Sequence, residues 1–278
     1  ATAVVPTYFS EISPIAVRGA IGTMHQLGIT VGILLSQALS TPSLNLLGST
    51  ERWKWLFFVP VLCGLVEVIV LPFCPESPGY LYTTKGAYAA RKSIVRLQSE
   101  EKADEYLGYI EEELFATENK SMTVMELFCD GTLRKQLIVG VTIQLMMQFS
   151  GIDAVFYYST SIFKHANVSD PEVATTFLGI INVIVTVVAV KFMDTAGRKT
   201  LLMYSWIGMF TSYIVLVLSF VLKPYANCMD QLSIAATTGV IIFFAFGPGC
   251  IAWFIIAEIF PLYARDTAMA VGIFINWD

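Results

Sequence analysis

Six runs of this 278-residue chain are long and apolar enough to cross a bilayer, which constrains its fold more than any motif. Leu201 to Leu222 and Leu232 to Ala257 carry no charged residue, and about 20 consecutive apolar residues span the hydrocarbon core. Gly19 to Thr50 and Ala174 to Val190 are equally free of Asp, Glu, Lys and Arg. Trp55 to Cys74 holds only Glu67, and Leu137 to Phe163 only Asp153. With 55% hydrophobic and 14% charged residues, too little polar surface remains to cover a water-soluble globule of this size. Lipid is the solvent these runs predict, and the expected fold class is an all-α membrane protein.

A repeated charged frame brackets the six runs. It reads Glu11-Ile12-x-Pro14-x-x-x-Arg18 near the start and Glu258-Ile259-x-Pro261-x-x-x-Arg265 near the end. An even number of crossings puts both copies on one face, so the repeat is parallel. Thirteen of the seventeen Lys and Arg fall at Arg18, between Lys85 and Lys135, at Lys191 to Lys199 or at Arg265. Positive charge accumulates on the cytoplasmic side, so that face is the cytosol and each frame closes a helix arriving there. Asn167-Val168-Ser169, a glycan acceptor triplet, then faces outside, and Asn119-Lys120-Ser121 faces inside.

The long polar stretch Pro75 to Arg134 is read as a cytoplasmic linker of short amphipathic helices. Ser77 and Pro78 suit a helix cap and first position, while Leu107, Ile110 and Leu114 recur at helical spacing. No phosphate-cradling glycine loop or metal cluster is written there. Cys63, Cys74, Cys129, Cys228 and Cys250 form no redox or metal pair by spacing, so neither a disulfide nor a zinc site is expected. The chain starts without a signal peptide's basic segment and stops in a seventh apolar run, as expected of an internal piece of a longer protein.

Two glycine-rich points interrupt apolar runs, Ser150-Gly151 and Gly247-Pro248-Gly249. Glycine frees the backbone and proline removes a donor. Irregular backbone at membrane depth survives where it lines a cavity, so the breaks mark a solute path, the alternative being kinks that serve packing. Glu67 and Asp153 are intramembrane acids, each costly unless protonated, paired or hydrated. Glu67 is read as structural; Asp153, beside a break, stays open between structural and proton-coupling roles.

SEISPIAVRGAIGTMHQLGITVGILLSQ, LPFCPESPGYL, QFSGIDAVFYYSTSIF, DTAGRKTL and GPGCIAWFIIAEIFPLYAR together resemble the facilitative sugar transporters of the major facilitator superfamily, animal hexose-carrier branch. The resemblance implies a twelve-helix, two-bundle transporter, of which this chain runs from the end of helix 4 to the start of helix 11. Residues 1–74 would end the N-terminal bundle, 75–134 form the cytoplasmic linker, and 135–278 hold helices 7 to 10 and the start of 11. It implies hexose binding by Gln26, Gln144, Gln148, Asp153, Asn182 and Trp253, with Tyr157 and Tyr158 as an outer gate. A cytoplasmic latch would comprise Glu11, Arg18, Glu76, Asp194, Arg198, Glu258 and Arg265. Intramembrane amides also serve as interhelical glue, and such charges also serve as topology anchors.

Four departures from the family pattern bear on the site: Gly79 stands where PESPR carries Arg, Met147 replaces the first of paired glutamines, Asp153 replaces Asn, and Ala245 replaces Glu. Cys250 also replaces a second proline. The function implied is facilitative hexose transport by alternating access, at the plasma membrane, without enzymatic chemistry. A sugar sensor, a nontransporting truncated isoform and a proton-coupled symporter are the alternatives. Expected partners are a small sugar and membrane lipid, with no cofactor, no metal, no nucleic acid and no obligate protein partner.

Overall fold

The computed structural model describes residues 4–14, 17–44, 46–97, 100–115, 122–225 and 228–277. Among them the chain is helical and has no strand. In order the helices are α1 (Val4–Ile12), α2 (Arg18–Ser40), α3 (Phe58–Val70), α4 (Pro78–Lys85), α5 (Ala87–Leu97), α6 (Glu100–Phe115), α7 (Val124–Cys129), α8 (Arg134–Phe149), α9 (Ile152–His165), α10 (Pro171–Ala196), α11 (Arg198–Leu222), α12 (Met229–Phe246), α13 (Pro248–Ile259) and α14 (Leu262–Trp277). Six helical segments are long and apolar enough to span a membrane: Arg18–Ser40, Trp53–Phe73, Arg134–His165, Pro171–Ala196, Arg198–Tyr225 and Met229–Ile259. They coincide with the six runs read from sequence, and the chain is a multi-pass membrane segment.

Two of the spanning helices, α2 and α10, bury polar and small residues and turn large apolar ones outward. The buried face of α10 is Thr175, Thr176, Leu178, Gly179, Asn182, Thr186, Ala189 and Met193, whereas Phe177, Ile184 and Val187 are exposed. On α2, Thr23, Gln26 and Thr30 are buried while Met24, Val31 and Leu35 face outward. Lipid tails are as apolar as leucine, so apolar side chains gain nothing by turning inward; close backbone approach and hydrogen bonds hold such helices together.

The chain divides into two compact units. The first comprises residues 1–25, 73–149 and 251–278; the second, 26–72 and 150–250. In the first, α14 packs against α8 and also touches α1, α6 and α7. The short helices α5 and α6 have their own small core of Ile94, Ala103 and Ile110, against which Tyr82, Tyr106, Leu107 and Leu262 pack. Ser77 caps α4, accepting from the Tyr80 amide at 3.2 Å with Pro78 at the first position, as the sequence predicts. Ile110 is buried on α6, again as predicted; the side chain of Leu114 and the triplet at Asn119 lie outside the described residues. Thr123 and Glu126 close a reciprocal capping box on α7.

In the second unit α11 lies along α12, and both touch α10. Glycines make that approach: a Cβ on Gly208 would stand 2.3 Å from the Phe243 ring, and one on Gly239 2.8 Å from the Ser212 hydroxyl. No residue of α3 is buried.

Both breaks appear where the sequence places them. Gly151, left-handed at φ 70, separates α8 from α9, and Gly247 separates α12 from α13, which Pro248 opens. The two charged frames are also built alike. Glu11-Ile12 ends α1 and Arg18 opens α2; Glu258-Ile259 ends α13 and Arg265 lies in the first turn of α14.

Candidate functional site

Within the second unit, the C-terminal half of α2, all but the last turn of α9 and the start of α10 border a cavity of about 820 Å³, inside the range of roughly 300–1,000 Å³ usual for small-molecule sites. Its polar lining comes from Ser36, Gln37, Ser40, Thr41, Asp153, Tyr157, Thr160, Glu172, Thr175 and Thr176, with Ile29, Ile33 and Phe156 among the apolar residues. Hydroxyl pairs tie its walls together: Thr41 and Thr176 approach to 3.1 Å, and Thr160 and Thr175 to 3.0 Å. Two of the residues predicted for binding or gating, Asp153 and Tyr157, line this space. Tyr158 is exposed, like Tyr157, but is not part of the lining.

Gln26 and Asn182, 4% and 1% exposed, lie on α2 and α10 of the same unit. Neither Gln26 Oε1 nor Asn182 Oδ1 has a hydrogen-bond partner among the described residues. The Oε1 of Gln37 is unpartnered in the same way. Gln37 follows Gln26 by about three helical turns and so repeats its face of α2, a spacing legible in the sequence but absent from the predicted set.

The first unit holds the other predicted binding residues. Gln144 is fully buried on α8 and already occupied: its Nε2 donates to the Ala252 carbonyl at 2.8 Å, and its Oε1 accepts from Asn276 Nδ2 at 3.0 Å. It bridges α8 to α13 and α14, the interhelical role that amides also play. Asn276, missed from sequence, is the third member of that bridge. Gln148 is exposed on α8 while its neighbour Met147 is buried. Trp253 is buried with its ring edge-on to His25, centroids 5.6 Å apart, and its Nε1 has no partner among the described residues.

Of the predicted latch, the first unit draws Glu11, Arg18 and Arg265 around one small cavity of about 20 Å³, room for about one water, together with Gly79, Tyr106 and Tyr109. Ser77 donates its hydroxyl to the Glu11 carboxylate, and the Tyr106 hydroxyl donates to the Glu11 carbonyl at 2.8 Å. Burial pushes the Glu11 carboxyl above its ordinary range, while the Ser77 bond and the Arg265 charge pull it back. Arg265 is 6% exposed and donates to the Phe260 carbonyl at 3.4 Å. Glu76 is exposed; its carbonyl accepts from the Ser93 hydroxyl at 2.6 Å. Glu258 is half-buried near the end of α13. In the second unit Arg198 pairs with Asp194 at 3.2 Å and donates to the Met193 carbonyl at 2.8 Å. That pair spans one helical turn across the α10–α11 corner.

A family model described as "Sugar (and other) transporter" matches residues 1–278. The chain belongs to the sugar transporter family. It is 42% identical over 275 residues to solute carrier family 2, facilitated glucose transporter member 4 of Mus musculus, covering 98% of this chain and 54% of that one. With member 2 of Gallus gallus it shares 40% identity, covering 98% and 51%. The chain thus spans about half the length of these relatives. Among solved structures it resembles the major facilitator superfamily proton:xylose symporter XylE bound to 6-bromo-6-deoxy-D-glucose, with TM-score 0.84 and 24% identity over 99% of this chain and 57% of that one. An inward-open XylE from E. coli matches at TM-score 0.66, with 22% identity over 98% and 56%. The fold is that of the major facilitator superfamily.

For this sugar transporter chain the departures acquire physical content. Cys250, in place of a second proline, supplies a backbone N–H that donates to Gly247 at 3.1 Å, and its thiol donates to the Ala245 carbonyl at 3.1 Å. Proline could make neither bond. Ala245 is fully buried, so a glutamate there would have to displace packed neighbours. Gly79 lies 3.6 Å, measured from an added Cβ, from Leu262, and it borders the cavity of Arg18 and Arg265. Among the described residues no disulfide joins any of the five cysteines.

Proposed function

We propose that the full protein carries hexoses across the plasma membrane by facilitated diffusion, through alternating access and without covalent chemistry. The observation that carries this reading is hydrogen-bonding capacity held unused inside apolar spans: Gln26 Oε1, Gln37 Oε1, Asn182 Oδ1 and Trp253 Nε1 have no protein partner among the described residues. A polar group shielded from water without a partner costs several kcal/mol in an apolar medium, so such groups are maintained for a polar solute that passes them. The names of the relatives, facilitated glucose transporters at 40–42% identity, supply the solute class.

In this reading residues 1–74 end the N-terminal bundle, 75–134 form the cytoplasmic linker and 135–278 begin the C-terminal bundle. Glu11, Arg18, Glu76, Asp194, Arg198, Glu258 and Arg265 form a latch that closes when the transporter faces outward; the shared cavity of Glu11, Arg18 and Arg265 supports it. Gln26, Gln148, Asp153, Asn182 and Trp253 bind sugar, Tyr157 and Tyr158 gate it, and Gln144 acts by holding α8 in place.

Full-length protein reconstituted in vesicles tests the proposal. Saturable, equilibrative hexose flux is expected, with KM raised about tenfold by Gln26→Ala or Asn182→Ala, the loss of one good hydrogen bond. Met147→Gln should lower KM. Uphill accumulation driven by a pH gradient and abolished in Asp153→Asn would replace the facilitator with a proton symporter. Absence of hexose binding and flux would leave the sensor of another ligand or the nontransporting isoform.

A further inference from the structure

We propose that the α2/α9/α10 cavity selects a cationic sugar, a protonated 2-amino-2-deoxyhexose, over the neutral hexose; this rests on the transport reading above and deepens it. The cavity is lined by two carboxylates, Asp153 and Glu172, and none of its lining residues is Lys, Arg or His. Among the described residues neither carboxylate has an ion-pair partner. The nearest bases along α9, Lys164 and His165, belong to its last turn and do not line the space.

The two acids stand at different depths. Asp153 opens α9 next to the left-handed Gly151 in the middle of the broken span Arg134–His165, whereas Glu172 lies in the first turn of α10. A cation entering the cavity therefore meets negative charge at its rim and again at its floor. Between them stand hydroxyls and an amide: Ser36, Gln37, Ser40, Thr160, Thr175 and Thr176. That combination fits a solute bearing several hydroxyls and one ammonium. An ammonium supplies donors only and brings a positive charge opposite the carboxylates, whereas a hydroxyl in its place donates one bond to a carboxylate without that ion pair. Each carboxylate also sits in the first turn of its helix, where it offsets the positive helix end. That role is indifferent to the solute's charge, so a charge-dependent readout separates the two.

The test uses full-length protein in vesicles, tracer glucose flux, and competition by unlabelled glucosamine or glucose, which differ only by ammonium for hydroxyl at carbon 2. Glucosamine is expected to compete at about tenfold lower concentration than glucose, as one added ion pair in a shielded cavity predicts. Asp153→Asn should reduce that ratio to within about twofold, and Glu172→Gln should reduce it partly. Equal competition by the two sugars on the native protein, with glucose flux intact, would overturn the charge selectivity and leave the hexose-carrier reading standing. Preference for glucosamine that survives in the Asp153→Asn, Glu172→Gln double variant would overturn the assignment to these carboxylates. Absence of flux and binding for both sugars would overturn the transport reading together with this one.

Discussion

At Gly208 the tolerance of the structure comes down to one missing methyl group. An alanine Cβ would stand 2.3–2.4 Å from three carbons of the Phe243 ring, well inside any real contact distance. α11 and α12 would have to part or the ring to turn, and overpacking of that kind costs about 1–3 kcal/mol. Gly208→Ala is therefore expected to lower the detergent-solubilised Tm, and adding Phe243→Leu to recover much of the loss. If the single variant melts at the native temperature, the close approach of the two helices is wrong. Gln144 shows the converse situation, a side chain whose two polar ends are both used. Its bonds to Ala252 and Asn276 cross sequence separations of more than a hundred residues, and no local pattern announces them.

The short helices between the spans act through a few shared residues. Ser77 both caps α4 and donates to Glu11 at the end of α1, while Tyr106 on α6 donates to the carbonyl of Glu11. Three elements thus converge on one residue outside the six spans, Ser77 on its carboxylate and Tyr106 on its backbone. Burial raises the pKa of Glu11 above its ordinary value of 4.5, opposed by Ser77 and Arg265 and helped by Asp266 and Glu76. A raised folded-state pKa means the folded protein holds that proton more tightly. The contribution of Glu11 to stability is then complete below the unfolded value and declines as pH rises through the folded one. The Tm of the native protein minus that of Glu11→Gln should accordingly fall between pH 4.5 and neutrality. A difference that stays flat or grows would mean that Arg265 and Ser77 outweigh burial. The exposed Arg91–Asp104 pair joining α5 to α6 at 2.7 Å is a different case; water screens it, and its loss should leave the Tm nearly unchanged.

For the whole molecule, the topology is the statement most open to direct test. The expected orientation, six crossings with cytosolic ends, would put Asn167 outside; the residue adopts φ 54 and donates its amide to Asp230 at 3.2 Å. That bond, with Lys223 also on Asp230 at 2.9 Å, ties the acceptor nitrogen down to the start of α12. Lengthening the loop after Asn167 by a flexible, Ser169-preserving insertion should permit glycosylation in cells, and a glycan on Asn119 would reverse the topology. The spans themselves, the breaks at Gly151 and Gly247, the cap at Ser77 and the paired Glu-Ile-x-Pro-x-x-x-Arg frames were legible in the sequence, because each follows from a local cause. Span length answers to bilayer thickness, breaks to Gly and Pro, and charge to the side of the membrane. What no local pattern contains is which face of an apolar helix turns inward, since lipid rewards leucine as well as a protein interior does. The partner helices settle that. They bury Met147 and expose Gln148, close Gln144 into a bridge with Asn276, and bring Gln37, Asp153 and Glu172 from three helices to one cavity. Small residues such as Gly179, where an added Cβ would meet the Gln37 amide oxygen at 2.4 Å, set that packing by letting backbones approach, and only the assembled helices show whose side chain fills the space.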